Sequence, residues 1–197
     1  MSMYGGQCSV CGQSVADPNL YDVPELGRAF LLGTRSGSTA AKVSILTALG
    51  QPTRDPHNAP ALLSRHTNRK PHRPVLALIR HPHDRMASTW RKLVREQFWP
   101  HFACHGIRHG DDFPTFCRKV AELDPLNTDL HLRPLAPLVA AYADDVLRYE
   151  HLDQWAAKTG LPELRRTNAS KPEPIPDFEA GCKAISRYFA ADLALFR

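Results

Sequence analysis

The chain has 197 residues, 43% of them hydrophobic and 23% charged, with a formal net charge of +5. That composition excludes a disordered or low-complexity polymer and fits one domain with a sizeable core, and no apolar run approaches the ~20 residues that span a bilayer. The positive balance favours anionic partners, whether nucleic acid, nucleotides or acidic sugars, without choosing among them.

Residues 1–24 are rich in Gly, Ser, Asn, Asp and Pro and read as an irregular N-terminal extension. Their first dozen lack the basic and apolar regions of a signal peptide, so a cytoplasmic protein is expected. Residues 29–32 form a short apolar run bounded by glycines and predict a buried strand. Residues 33–39 follow as a loop, and residues 40–49 suit a helix stopped by Gly50 and Pro52. Residues 61–66 predict a second short strand. Residues 74–79 are the clearest strand, apolar throughout, as a strand with both faces covered would be. Residues 84–98 predict a helix with Met86, Trp90, Leu93, Val94 and Phe98 on one stripe. Further helices are predicted over 113–123 and 132–143, then a parallel strand over 145–149 and a short helix over 152–159. A proline-rich loop over 167–176 leads to a closing helix over 177–195. Apolar strands alternating with helices indicate an α/β fold: residues 25–197 as one three-layer domain, a central parallel sheet flanked by helices.

The five cysteines are an odd number without a secretory signal, which argues against a disulfide framework. Cys8 and Cys11 have the spacing of half a zinc knuckle. Cys104 with His101 or His105 could complete it, but inert thiols are the favoured reading.

Two segments carry chemistry. The first is Arg35-Ser36-Gly37-Ser38-Thr39, between a predicted strand and a helix. Glycine and small hydroxyl residues let a phosphate approach the backbone, Arg35 adds a positive fork, and the following helix adds its positive end. It is not a Walker A loop, which needs a lysine this segment lacks. Its composition also serves an ordinary strand–helix turn. The second is Ile79-Arg80-His81-Pro82-His83-Asp84-Arg85, with Ser88 a little further on. Arg80 ends an apolar strand, Pro82 breaks it, and Ser88 sits early in the next helix. Both residues are thus expected at the sheet end where open α/β folds bind ligands, as a second phosphate clamp.

These segments, in this order, resemble the PAPS-dependent sulfotransferases, particularly the carbohydrate and sulfotransferase-2-like branch. PAPS is 3'-phosphoadenosine 5'-phosphosulfate. The family's 5'-phosphosulfate loop, often K-x-G-G-T or R-S-G-S, is matched by Arg35 to Thr39. Its 3'-phosphate segment, R-[ND]-P-x-x-R-x-x-S, is matched from Arg80 through Pro82 and Arg85 to Ser88. Leu130-His131-Leu132-Arg133-Pro134 is similar to its H-W-R-P segment, and Arg148-Tyr149-Glu150-His151-Leu152 to its strand followed by E-x-L. Asn168-Ala169-Ser170 is similar to a late N-A-S loop, and the run from Tyr188 to Phe196 to its closing helix. The resemblance covers about residues 28–197 and leaves out the CxxC.

The resemblance implies a P-loop-like fold and transfer of a sulfuryl group from PAPS to a hydroxyl or amine, possibly on a carbohydrate. It implies PAPS binding by Arg35, Ser36, Gly37, Ser38, Thr39, Arg80, Ser88, Ser170 and Lys171, with Arg35 also catalytic and no metal required. Related enzymes place a His or Glu base between the two phosphate segments. His66, read as ending the strand of residues 61–66, suits that place best; His57 and His131 are the alternatives. The basic loops around residues 51–72 and 98–112 would suit an acidic acceptor. The competing readings are a kinase-like P-loop phosphotransferase, which lacks its lysine and magnesium-binding aspartate, and a non-catalytic basic module binding nucleotide or nucleic acid. The latter lacks an aromatic platform, since aromatic content is only 8%.

Overall fold

A computed structural model of the chain describes residues 19–51, 53, 55–125, 128–164 and 173–197. The chain divides into two compact units, one comprising Pro18–Arg80 with Leu138–Lys171 and the other including His81–Pro137 and Pro172–Arg197. The first holds the sheet and the second is helical.

Five strands lie in the sheet unit: β1 (Leu20–Val23), β2 (Arg28–Leu32), β3 (His66–Thr67), β4 (Val75–Ile79) and β5 (Asp145–Arg148). Their order is β3-β1-β2-β4-β5. β2, β4 and β5 are mutually parallel neighbours, as the apolar runs predict, whereas β1 is antiparallel to both β2 and β3. The protein is therefore α/β with a mixed sheet, not a parallel one. The antiparallel half has a local cause. A single 3-10 turn, Pro24–Leu26, joins β1 to β2 and closes on Gly27, which sits at φ 65° and donates its N–H to the Pro24 carbonyl. So short a connection returns the chain antiparallel, because a parallel crossover needs a dozen or more residues. Residues 20–23, expected within the irregular extension, are thereby drawn into the sheet, with Leu20, Tyr21 and Val23 buried.

Residues 61–66 also depart from expectation. Pro60 occupies the first turn of a short helix, α2 (Pro60–Leu63), where its fixed φ and missing N–H cost nothing. The Ala59 carbonyl accepts from the N–H groups of Leu62 and Leu63, so the apolar run closes into a helical turn that buries Leu62. Only His66 and Thr67 remain as strand, at the outer edge of the sheet.

One face of the sheet presents Phe30, Leu32, Leu76, Leu78 and Leu147. They pack with Ala41, Ile45 and Leu46 of α1 (Ser38–Ala48) and with Trp155 of α6 (Trp155–Thr159). The buried polar groups in this layer are paired: the Trp155 indole donates to Ser44 Oγ at 3.0 Å, and Ser44 donates to the Pro162 carbonyl at 2.6 Å.

The helical unit is built on α3 (Pro82–Trp90), α4 (Phe113–Ala121), α7 (Phe178–Ile185) and α8 (Ala190–Ala194); α5 (Ala136–Tyr142) begins at its boundary. The helix predicted over 84–98 ends in a π-helical turn, Arg91–Glu96, and Met86, Trp90 and Val94 of its stripe are buried. The closing helix is two helices, interrupted after Ile185. α4 and α7 touch at Gly181, where a Cβ would lie 2.5 Å from the Phe113 ring. In the same unit, Arg85 and Asp192 form a buried ion pair at 3.7 Å. Among the described residues no helix is long and apolar enough to cross a membrane.

Candidate functional site

β2 delivers the chain to the loop of residues 33–37. Gly33 stays hydrogen-bonded to the sheet through the Leu78 carbonyl of β4 at 3.0 Å, which fixes where the loop starts. Ser36 N–H closes back onto the Gly33 carbonyl at 3.2 Å, and Ser36 itself is fully buried. Two residues take left-handed backbone: Gly37 at φ 85°, where glycine is at ease, and Arg35 at φ 59°, where it is not. Gly37 is the N-cap of α1, and no side chain caps that helix end. The first turn of α1 therefore presents its backbone N–H groups and positive dipole at the loop.

A non-glycine residue in left-handed backbone stores about 1–2 kcal/mol of strain. Arg35→Gly should accordingly be more stable than Arg35→Ala by about 1 kcal/mol, since only the first relieves it. Urea unfolding of the two variants measures this. Equal midpoints, or a less stable glycine variant, would remove strain from the description of this loop.

Arg80 immediately follows β4, which is parallel to and paired with β2. Its Nη1 donates to the Arg35 carbonyl at 3.4 Å, and its guanidinium carbon lies 4.6 Å from the centre of the Tyr149 ring. Its Nε is buried with no hydrogen-bond partner. Tyr149 follows β5, whose last residue, Arg148, pairs with Ile79 and so brings Tyr149 level with Arg80. The same tyrosine borders Gly37: a Cβ there would lie 3.1 Å from the ring carbon Cδ2. The structure thus brings together the loop from Arg35 to Thr39, Arg80 and Tyr149. The first two were singled out as binding residues in the sequence. Tyr149 is expected from sequence only as the end of the strand over 145–149 and as part of a motif; the structure ends that strand at Arg148 and places Tyr149 directly after it.

The histidines separate clearly. His57 Nε2 is 3.1 Å from Thr39 Oγ1 at the start of α1. Asp55 builds the turn that carries it, accepting from the His57 and Asn58 backbones and from the Asn58 amide at 2.7 Å. The amide bond holds the Asp55 carboxyl below its ordinary range. His66 is exposed on β3, its ring 5.5 Å from that of Tyr21. It does not end a strand between β2 and β4, because those two pair directly and β3 lies outside β1. His131 belongs to the helical unit, where Asp129 Oδ1 holds its Nδ1 at 2.8 Å; that bond helps keep the half-buried Asp129 carboxyl low against its desolvation.

Ser88 is half-buried on α3, in the helical unit. Ser170 and Lys171, with the rest of the N-A-S segment, lie outside the described residues, as do Cys8 and Cys11. Cys104 donates to the His101 carbonyl at 2.9 Å, and among the described residues no group of three His, Cys, Asp or Glu is arranged to hold a metal. Burial raises the Cys117 and Cys182 thiols, the latter to about 11, so neither is a ready nucleophile.

Three of the sequence motifs meet for a different purpose. Arg85 of the R-H-P segment donates to the Arg133 carbonyl of the H-L-R-P segment at 2.7 Å and pairs with Asp192 of the closing run. All three side chains are buried. These motif residues hold the helical unit together. Comparison with protein-family models, with curated proteins and with solved structures gave no match for this chain.

Proposed function

We propose that this protein is a sulfotransferase, moving a sulfuryl group from PAPS to an acceptor hydroxyl. The observation that carries the reading is the meeting of Arg80 with the loop of residues 33–37 at the parallel strand ends. There an uncapped helix end, a left-handed glycine and a buried, unpaired guanidinium nitrogen all favour an anion. Such a cradle fits a ligand with phosphate and phosphosulfate groups.

In this reading α1's first N–H groups, with Ser38 and Thr39, hold the 5'-phosphosulfate, and Arg35 offsets charge on the transferring group. Arg80 takes the 3'-phosphate. His57 accepts the acceptor's proton as its oxygen bonds to sulfur, and the bond from sulfur to the phosphate oxygen breaks. The electron pair leaves with adenosine 3',5'-bisphosphate. Positioning and electrostatics supply most of the rate, as in phosphoryl transfer.

Adenosine 3',5'-bisphosphate should stabilise the folded protein in a thermal-shift series more than ATP or AMP at equal concentration. Arg80→Ala should weaken bisphosphate binding by roughly 10- to 150-fold, the loss of a charge-assisted bond worth about 1.5–3 kcal/mol. A preference for ATP would turn the reading towards phosphoryl transfer. Unchanged bisphosphate affinity in folded Arg80→Ala protein, measured by calorimetry, would overturn it.

A further inference from the structure

We infer that Tyr149 is a positioning residue that ties the two anion-binding elements into one preformed site. The inference rests on the reading above for its ligand, but on geometry for its logic. Arg80 and the loop of residues 33–37 come from different strands, β4 and β2, and the bond from Arg80 Nη1 to the Arg35 carbonyl is long, at 3.4 Å. Tyr149 touches both. Its ring underlies the Arg80 guanidinium at 4.6 Å, and its Cδ2 and Cε2 carbons would stand 3.1 and 3.2 Å from a Cβ at residue 37.

The two contacts do different work. An arginine side chain loses much rotamer freedom on binding, and a ring beneath it spends that entropy before the ligand arrives. The ring's negative face attracts the guanidinium without using any of its N–H groups, so this contact takes no donor away from an anion. The Gly37 contact sets a wall behind the loop, so that the left-handed glycine and the start of α1 hold one position. Leu152 completes that wall at 3.7 Å from the same point. Tyr149 itself is carried on β5, whose pairing with β4 fixes its height relative to Arg80. A ring is needed here, and the hydroxyl is not.

The test uses full-length Tyr149→Leu, Tyr149→Phe, Arg80→Ala and the Arg80→Ala/Tyr149→Leu double variant. Two probes are titrated by calorimetry: adenosine 3',5'-bisphosphate and inorganic pyrophosphate. Tyr149→Leu should weaken binding by about 2- to 30-fold, the span of a partly buried cation–ring contact. Tyr149→Phe should restore it to near wild type. Because part of the effect acts through Arg80, Tyr149→Leu should cost clearly less in the Arg80→Ala background. A general loss of structure would instead weaken all variants alike and would not be rescued by phenylalanine. Failure of the bisphosphate to bind wild type, with pyrophosphate binding intact, would sink the sulfotransferase reading and leave Tyr149 to be judged on pyrophosphate. Additive losses in the double variant, or a phenylalanine variant as weak as leucine, would overturn the positioning role. So would a wild-type protein that binds neither probe.

Discussion

Replacing Asp192 with alanine should destabilise the protein by about 3–5 kcal/mol, because it leaves the Arg85 guanidinium buried without its counter-charge. Arg85 is fully buried and Asp192 nearly so, with 3.7 Å between Nη2 and Oδ2. Burial is the main pull on Arg85, lowering its pKa, and the Asp192 charge is the main force opposing it. The carboxylate has a second duty. Its oxygens accept the N–H of Leu135 at 2.9 Å and that of Ala136 at 2.7 Å, capping the start of α5. Alanine removes both functions, whereas Asp192→Asn keeps one acceptor oxygen and should lose less. Arg85→Met leaves the α5 cap in place but strands the buried Asp192 carboxylate and removes the bond to the Arg133 carbonyl, so it too should be strongly destabilising. Urea unfolding with an unchanged m-value reads these differences. A loss below about 1 kcal/mol for Asp192→Ala would mean that the pair is not what holds these segments, since that is the size of an exposed ion pair.

That buried pair also shows what a motif can and cannot say from sequence alone. The R-x-P-x-x-R-x-x-S pattern holds both Arg80 and Arg85, of which the resemblance assigns only Arg80 to the ligand. Folding separates them: Arg80 follows β4 and meets the loop after β2, while Arg85 turns into the core, its guanidinium carbon 5.2 Å from the centre of the Phe189 ring. Residue type gives charge, but only the helix phase after Pro82 decides which charge is spent on structure.

The fold was legible where the hydrophobic pattern was unambiguous. β2, β4 and β5 stand where apolar runs end in loop residues, because a strand buried along its length leaves that pattern. β1 was hidden because four residues with a central aspartate are too short to outweigh the polar stretch around them. Asp22 is tolerated there because Arg73 reaches it at 3.1 Å, a partner 51 positions away that no local window sees. The run 61–66 was misread for the opposite reason: its apolar content fits strand and helix equally, and Pro60 as a helix starter decided the matter. His66 then fell on the sheet edge. The loop from Arg35 to Thr39 and Arg80 could be found because their chemistry is in their residue types. His57 and Tyr149 could be ranked only once the Asp55 turn and the β4–β5 register were known.

His57→Ala should lower turnover by about 10²–10⁴, the usual contribution of a positioned general base, while leaving bisphosphate affinity within about twofold. The asymmetry follows from where the imidazole sits. It is exposed, on the turn built by Asp55, and its Nε2 lies 3.1 Å from the Thr39 hydroxyl at the start of α1. That contact holds the imidazole at the start of α1. Thr39→Val removes the tether but keeps the imidazole, so it should cost turnover less than His57→Ala does. His66→Ala and His131→Ala serve as controls. The first lies two strands from β2 at the sheet edge, and the second is engaged by Asp129 in the helical unit. Both should turn over close to wild type. The comparison requires single-turnover rates with PAPS, so that product release does not mask the chemical step. Full turnover in His57→Ala with a loss in His66→Ala would move the base to the sheet edge and break its link to the Thr39 loop. Full turnover in all three would remove histidine from the mechanism and leave a carboxylate, or the acceptor's own ionisation, to handle the proton.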